Sequence, residues 1–346
     1  MKKFSLAVTV ASIAVAASLG AASAQSRDTI QIAGSSTVLP FASIVAEEFG
    51  QAFPEYKTPV VGSGGSGGGL RQFCAGVGDN TIDIANSSRR IRAAEIEACN
   101  GAGVNDIREI QLGYDGIVFA SSASKADFAL EPVHVFKAIA AKVAVDGKLV
   151  DNPYKTWNEI DASLPNQPIA LAIPASNHGT REVFEERVLS AGAKAAELPE
   201  LSKEELEAVV TTLRQDVVVE IAGDYTETLA RLQSNPDTIG VFGLSFYDQN
   251  RDTLKVATMS GVTPSLETIA NGQYPVSRPL FFYVKGEHIG VVPGLEDYVE
   301  FFLSEQMTGL GGTLETAGLI PAPAEETADV LAGFREGKSL TAADVK

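Results

Sequence analysis

Four short stretches carry the residues best suited to chemistry: Gly34-Ser35-Ser36-Thr37, the glycine run 62–69, Asn86-Ser87-Ser88-Arg89 and Ser176-Asn177-His178-Gly179-Thr180-Arg181. Each combines hydroxyls or small residues with a position where a helix could begin. Helix N-termini leave backbone N–H groups unpaired and carry partial positive charge, so they take anions readily. Glycines let the backbone approach a ligand, and the hydroxyls add donors. Any one such turn is ordinarily a helix cap; four of them in one chain weigh against that reading for all, though composition does not say that they converge.

Catalytic patterns are sparser. The three histidines, His134, His178 and His288, are widely spaced, without HExxH or a Cys/His cluster suited to zinc. His178 could act as a base, but Gly179 and Thr180 beside it fit a ligand-cradling turn better. Gly62, Gly64 and Gly67 satisfy GxGxxG, with Asp83 sixteen residues beyond, which keeps a dinucleotide site open. No GK[ST] follows the run, so it is not a P-loop. The sequence therefore predicts neither an enzyme nor a bound metal or cofactor.

The elements that must position these turns alternate. Residues 28–33 alternate apolar side chains as a strand does. A helical stretch follows, with Leu39, Ile44, Val45, Phe49 and Phe53 on one side and Pro40 tolerated in its first turn. Residues 59–61, 82–85 and 169–173 read as further strands. Helices are expected after the glycine run, carrying Leu70, Phe73 and Val77, and after Arg181, carrying Val183, Phe184, Val188 and Leu189. The fold class is α/β.

Lys2 and Lys3, an apolar run over 6–19 and Ala22-Ser23-Ala24 form the pattern of a secretory signal peptide over 1–24. The expected mature chain, about 322 residues long, is large enough for two domains. Losing Lys2 and Lys3 takes its formal charge from -17 to -19, which disfavours nucleic acid and anionic membrane surfaces. An anion can still be held by local dipoles and a few buried cations. In an exported chain the two cysteines, Cys74 and Cys99, read as one structural disulfide.

The four turns, together with runs 114–119, 239–245 and 274–280, resemble the motifs of phosphate-specific periplasmic substrate-binding proteins of ABC importers, in that family's order. The resemblance implies a two-lobed type II periplasmic-binding fold with two crossover strands, near 116–121 and 280–284, and ligand in the cleft between lobes. Lobe I would combine 25–117 with 282–346, and lobe II would span 118–281. By position it implies phosphate contacts from Ser36, Thr37, Val38, Ser66, Ser88, Gly179 and Thr180, with Arg89 and His178 as weaker candidates. Relatives commonly carry a carboxylate where Ser88 stands and an arginine four residues before His178, where this chain has Pro174. Asp115 and Arg181 are expected to take those roles. The implied protein is a periplasmic monomer that delivers inorganic phosphate to a membrane permease. The alternatives are a binder of sulfate or molybdate, and an exported phosphatase or DING-like scavenging protein.

Overall fold

A computed structural model describes residues 27–176, 180–222 and 225–345. The expected leader, His178 and Gly179 lie outside the described residues. The first parallel strands are β1 (Gln31–Gly34), β2 (Val60–Ser63) and β3 (Ile84–Ser87), side by side in the order β2-β1-β3. β1 starts later than the alternation over 28–33 predicts, and the Gln31 amide donates to the Asp83 carboxylate at 2.7 Å. Helices α1 (Leu39–Ala52) and α2 (Ser66–Phe73) connect these strands, and α3 (Ala93–Gly101) follows β3. α1 buries Phe41, Ala42, Val45, Ala46 and Phe49, while Phe53 falls just beyond its end. Burying a side chain such as Phe49 contributes about 1.5–3 kcal/mol.

α2 begins at Ser66, inside the glycine run, rather than after it. Glycine is a poor helix former, but here contact decides. A Cβ on Gly69 would stand 2.5 Å from Gly34 Cα and 2.7 Å from the Ala33 carbonyl oxygen. Only a bare backbone lets α2 lie this close to β1. Cys74, just past α2, is bonded to Cys99 in α3.

β4 (Ile107–Ser122) is the longest strand, with 16 residues. Two small pairings stand apart from the main sheet: β5 (Ala129–Leu130) meets β12 (Thr258–Met259), and β6 (Lys142–Val145) meets β7 (Lys148–Asp151). The other strands are β8 (Leu171–Pro174), β9 (Val218–Ile221), β10 (Ile239–Gly243), β11 (Leu254–Val256) and β13 (Ser277–Lys285). The main sheet runs β2-β1-β3-β13-β4-β10-β8-β9, with β11 also on β4. β4 pairs β13 from Ile107 to Gly116, then pairs β10 from Ile117 to Ala120. It passes from one half of the molecule to the other at that point. β13 carries the chain back, and its pairing with β3 begins at Phe281.

Each half has its own core. Ile32, Phe49, Phe282, Tyr298, Leu314 and Phe334 share one, so the C-terminal segment packs with the N-terminal strands. Phe119, Trp157, Phe184 and Phe242 belong to the other. Among the described residues no helix is long and apolar enough to cross a membrane.

Candidate functional site

Asp115 and Arg278 stand opposite each other where the crossover strands β4 and β13 run side by side. Both are buried. Arg278 Nε lies 3.5 Å from Asp115 Oδ2, and neither atom has a hydrogen-bond partner among the described residues. Burial pushes the Asp115 carboxyl up to about 6; Arg278 opposes this, and Glu182 adds to it. The other end of the Arg278 fork is engaged. Nη2 donates to Thr37 Oγ1 at 3.0 Å, and Nη1 donates to Glu186 Oε2 at 2.9 Å.

Thr37 ends the turn between β1 and α1. Its amide donates to Ser35 Oγ at 3.2 Å, which closes the turn and holds the hydroxyl against Arg278. That hydroxyl donates to Glu182 Oε2 at 2.6 Å, and Ser36 Oγ lies 3.5 Å from the same oxygen. Val38 is buried and forms the N-cap of α1. A cavity of about 390 Å³ opens beside this group, lined by Thr37 and Asp115 from one side and Thr180, Tyr225 and Ser245 from the other. Tyr225 Oη is 3.5 Å from Thr180 Oγ1. The fold thus brings Thr37, Asp115 and Thr180 around one space from three distant parts of the chain.

The remaining expected residues sit differently. Ser66 and Ser88 face each other, with hydroxyls 3.1 Å apart and the Ser88 amide donating to Ser66 Oγ at 3.0 Å. They are not among the described residues lining that cavity. Arg89 grips Glu95 through two bonds of 2.7 and 2.9 Å. Arg181, the expected cleft cation, turns into its own half: Nε donates to Glu185 Oε1 at 2.7 Å and Nη1 to the Pro174 carbonyl at 2.9 Å. It reaches back to Pro174, the position where the resemblance implies the family's arginine, and hydrogen-bonds the backbone there.

Two enzyme patterns lose their geometry. Asp83 stands at the start of β3, bound to Gln31, Arg27 and His288, at the opposite end of the parallel strands from the glycine turn. An acidic residue there cannot reach a ribose held at that turn. Gly64-Gly65-Ser66-Gly67-Gly68 also spells GxSxG between strand and helix. Yet Ser66 meets Ser88, while His288 pairs with Asp83, and His134 accepts from the Glu131 amide with Asp161 close by.

Sequence reasoning missed Arg278, Glu182, Glu186, Tyr225 and Ser245. Arg278 carried a signal: an arginine between a serine and a proline, flanked by Val276 and the apolar run Leu280-Phe281-Phe282. A charge in a buried strand needs partners, and here they come from both halves.

The family profile described as PBP superfamily domain matches residues 19–306. Protein SphX of Synechococcus elongatus is 30% identical over 327 residues, covering 92% of this chain and 85% of its own. The phosphate-binding protein PstS of Staphylococcus haemolyticus is 28% identical over 308 residues, covering 88% of this chain and 84% of its own. The crystal structure of a possible phosphate binding protein from Planctomyces limnophilus superposes with a TM-score of 0.70 at 26% identity, covering 90% of this chain and 99% of that one. With two halves joined by β4 and β13 and a cavity at their seam, the chain belongs to the PBP superfamily and has its two-lobed type II periplasmic-binding fold.

Proposed function

We propose that this protein captures inorganic phosphate in the cleft between its lobes and presents it to the membrane permease of an ABC importer, without catalysing a reaction on it. The observation that carries the reading is the buried Arg278 guanidinium, beside the Thr37 hydroxyl and opposite the Asp115 carboxylate. A guanidinium fork matches the oxygens of a phosphate. Asp115 Oδ2, buried without a hydrogen-bond partner among the described residues, is suited to accept the proton of hydrogen phosphate. Sulfate has no such proton and would meet the carboxylate lone pair to lone pair.

In this reading Arg278, not Arg181, is the cation that holds the ligand. Ser36, Thr37 and the Val38 amide bind from the start of α1, Ser66 from the glycine turn, Ser88 from the turn after β3, and Gly179 with Thr180 from lobe II. Arg181 and Arg89 brace the turns that present these groups. Lobe I comprises 25–117 with 282–346 and lobe II 118–281, a division supported by the switch of β4 from β13 to β10. The leader over 1–24 delivers the chain, as a monomer, to the periplasm. The relatives named as phosphate-binding proteins support the ligand.

Calorimetric titration tests the ligand directly. Phosphate and arsenate should bind, with sulfate and molybdate weaker by roughly 10⁴-fold, the discrimination available to sites built around a hydrogen bond. Sulfate binding as tight as phosphate would overturn the proposal. Hydrolysis of a chromogenic phosphate ester by the pure protein would favour the phosphatase.

A further inference from the structure

The donors that would hold phosphate already hold a carboxylate. Glu182 is the second residue of the helix that starts at Arg181, on the opposite side of the cleft from Thr37. Its Oε2 accepts from Thr37 at 2.6 Å, lies 3.5 Å from Ser36 Oγ and 3.5 Å from Arg278 Nη2. Glu186, farther along the same helical run, takes Arg278 Nη1 at 2.9 Å. Asp115 faces the guanidinium from β4. Three carboxylates therefore surround one buried cation, and two of them come from lobe II.

We propose that Glu182 is an internal stand-in for the ligand, occupying the anion donors in the empty protein and leaving when phosphate enters. The inference rests on the phosphate reading for the identity of the incoming anion. A carboxylate and a phosphate offer an arginine and a hydroxyl the same kind of charged acceptor. Exchange of one for the other keeps an anion against Arg278 Nη2 and the Thr37 hydroxyl while Glu186 holds Nη1, so neither Nη of the buried cation is left facing an apolar gap. The contact also spans the cleft, so it draws the lobes together before any ligand arrives. The cost falls on affinity: phosphate must displace the bound carboxylate and then share the site with like charges. Glu182 is 45% exposed at its side chain, so it has room to swing into solvent.

Two variants and two measurements test the exchange. Glu182→Gln keeps the shape and removes the charge; Glu182→Ala removes the contact. Calorimetry should find inorganic phosphate bound about tenfold more tightly by Glu182→Gln than by the parent, equivalent to about 1.4 kcal/mol. Affinity unchanged or weakened would overturn the proposal and leave Glu182 a bystander or a ligand contact. Solution scattering on the empty proteins should give Glu182→Ala a larger radius of gyration than the parent. An equal radius would overturn the proposal as well. The scattering comparison contains no phosphate, so it decides the stand-in contact even if the parent protein fails to bind phosphate and the functional reading falls.

Discussion

In the proposed site Arg278 takes the place of the cleft cation, for which the sequence offered Arg181, with Arg89 as the weaker candidate. Arg278 is buried among Thr37, Asp115 and Glu186, while Arg181 is committed to Glu185 and the Pro174 carbonyl. Truncating one member of a buried, hydrogen-bonded charge pair costs about 2–5 kcal/mol. Arg278→Ala should therefore lower phosphate affinity by roughly 30-fold or more, and Arg278→Lys by less, since lysine keeps the charge while losing the fork. Arg181→Ala should leave affinity within about threefold and lower thermal stability instead, because the lobe II turn loses its brace. Parallel calorimetry and melting on the three variants would expose a reversed assignment. Asp115 adds a pH signature. Its carboxyl titrates near 6 in the folded protein against an ordinary 3.8, so between those values the folded chain keeps a proton that the unfolded chain has released. Stability then falls as pH rises from about 4 to about 6, by about 3 kcal/mol in all. Arg278 and Glu182 face the same group and set how much of this is realised. Urea melts at pH 4.5 and pH 7 should show Asp115→Asn gaining on the parent at the higher pH. A difference that does not change with pH would remove Asp115 as the source.

α2 shows how a helix can start where propensity argues against it. Its first four residues are Ser66, Gly67, Gly68 and Gly69, and the last of these meets the β1 backbone. Gly69→Ala would force its Cβ to within 2.5 Å of Gly34 Cα, pushing α2 off the sheet and displacing Ser66. Overpacking of this kind costs about 1–3 kcal/mol, and denaturant unfolding would measure it. Gly67→Ala is the matched control. Its Cβ would meet nothing nearer than Arg71 Nη1 at 3.5 Å, so stability should hold or rise slightly. Equal losses from both substitutions would show that helix flexibility, not close approach, accounts for the glycines. The Cys74–Cys99 bond restrains the other end of α2 against α3, and replacing both cysteines with serine should cost about 2–4 kcal/mol.

The two lobes are linked by a pair of antiparallel strands, with Asp115, Arg278 and Thr37, the groups proposed to hold the ligand, at the seam between them. A hinge made of paired strands permits rotation while keeping Asp115 and Arg278 opposite each other. A ligand touching both lobes favours the closed arrangement by its difference in affinity for the two states. Scattering at saturating phosphate should therefore give a smaller radius of gyration than the empty protein, less so to the extent that Glu182 already bridges the cleft. Binding should also raise the melting temperature, with about 2.7 kcal/mol of added stability at a hundredfold excess over Kd. A melting point indifferent to phosphate but raised by sulfate would redirect the function to the other anion.

Local chemistry made much of this protein readable without coordinates. The four strand-like runs named from the sequence fall within three residues of β1, β2, β3 and β8, and two cysteines in a chain expected to be exported pointed to the bond. The order of the motifs carried the family, and with it the two-lobed α/β fold. Even the partner of Arg181 was within reach, since Glu185 stands four residues on along the same helix. What the chain alone left undecided were the encounters between distant segments. Arg278 meets Asp115 because β13 returns antiparallel along β4 in one register, and meets Thr37 because the β1–α1 turn opens onto the same seam. Glu182 reaches that seam from the opposite lobe. Nothing in the spacing of these residues encodes their approach: strand register and lobe packing set it, and both are properties of the assembled cores.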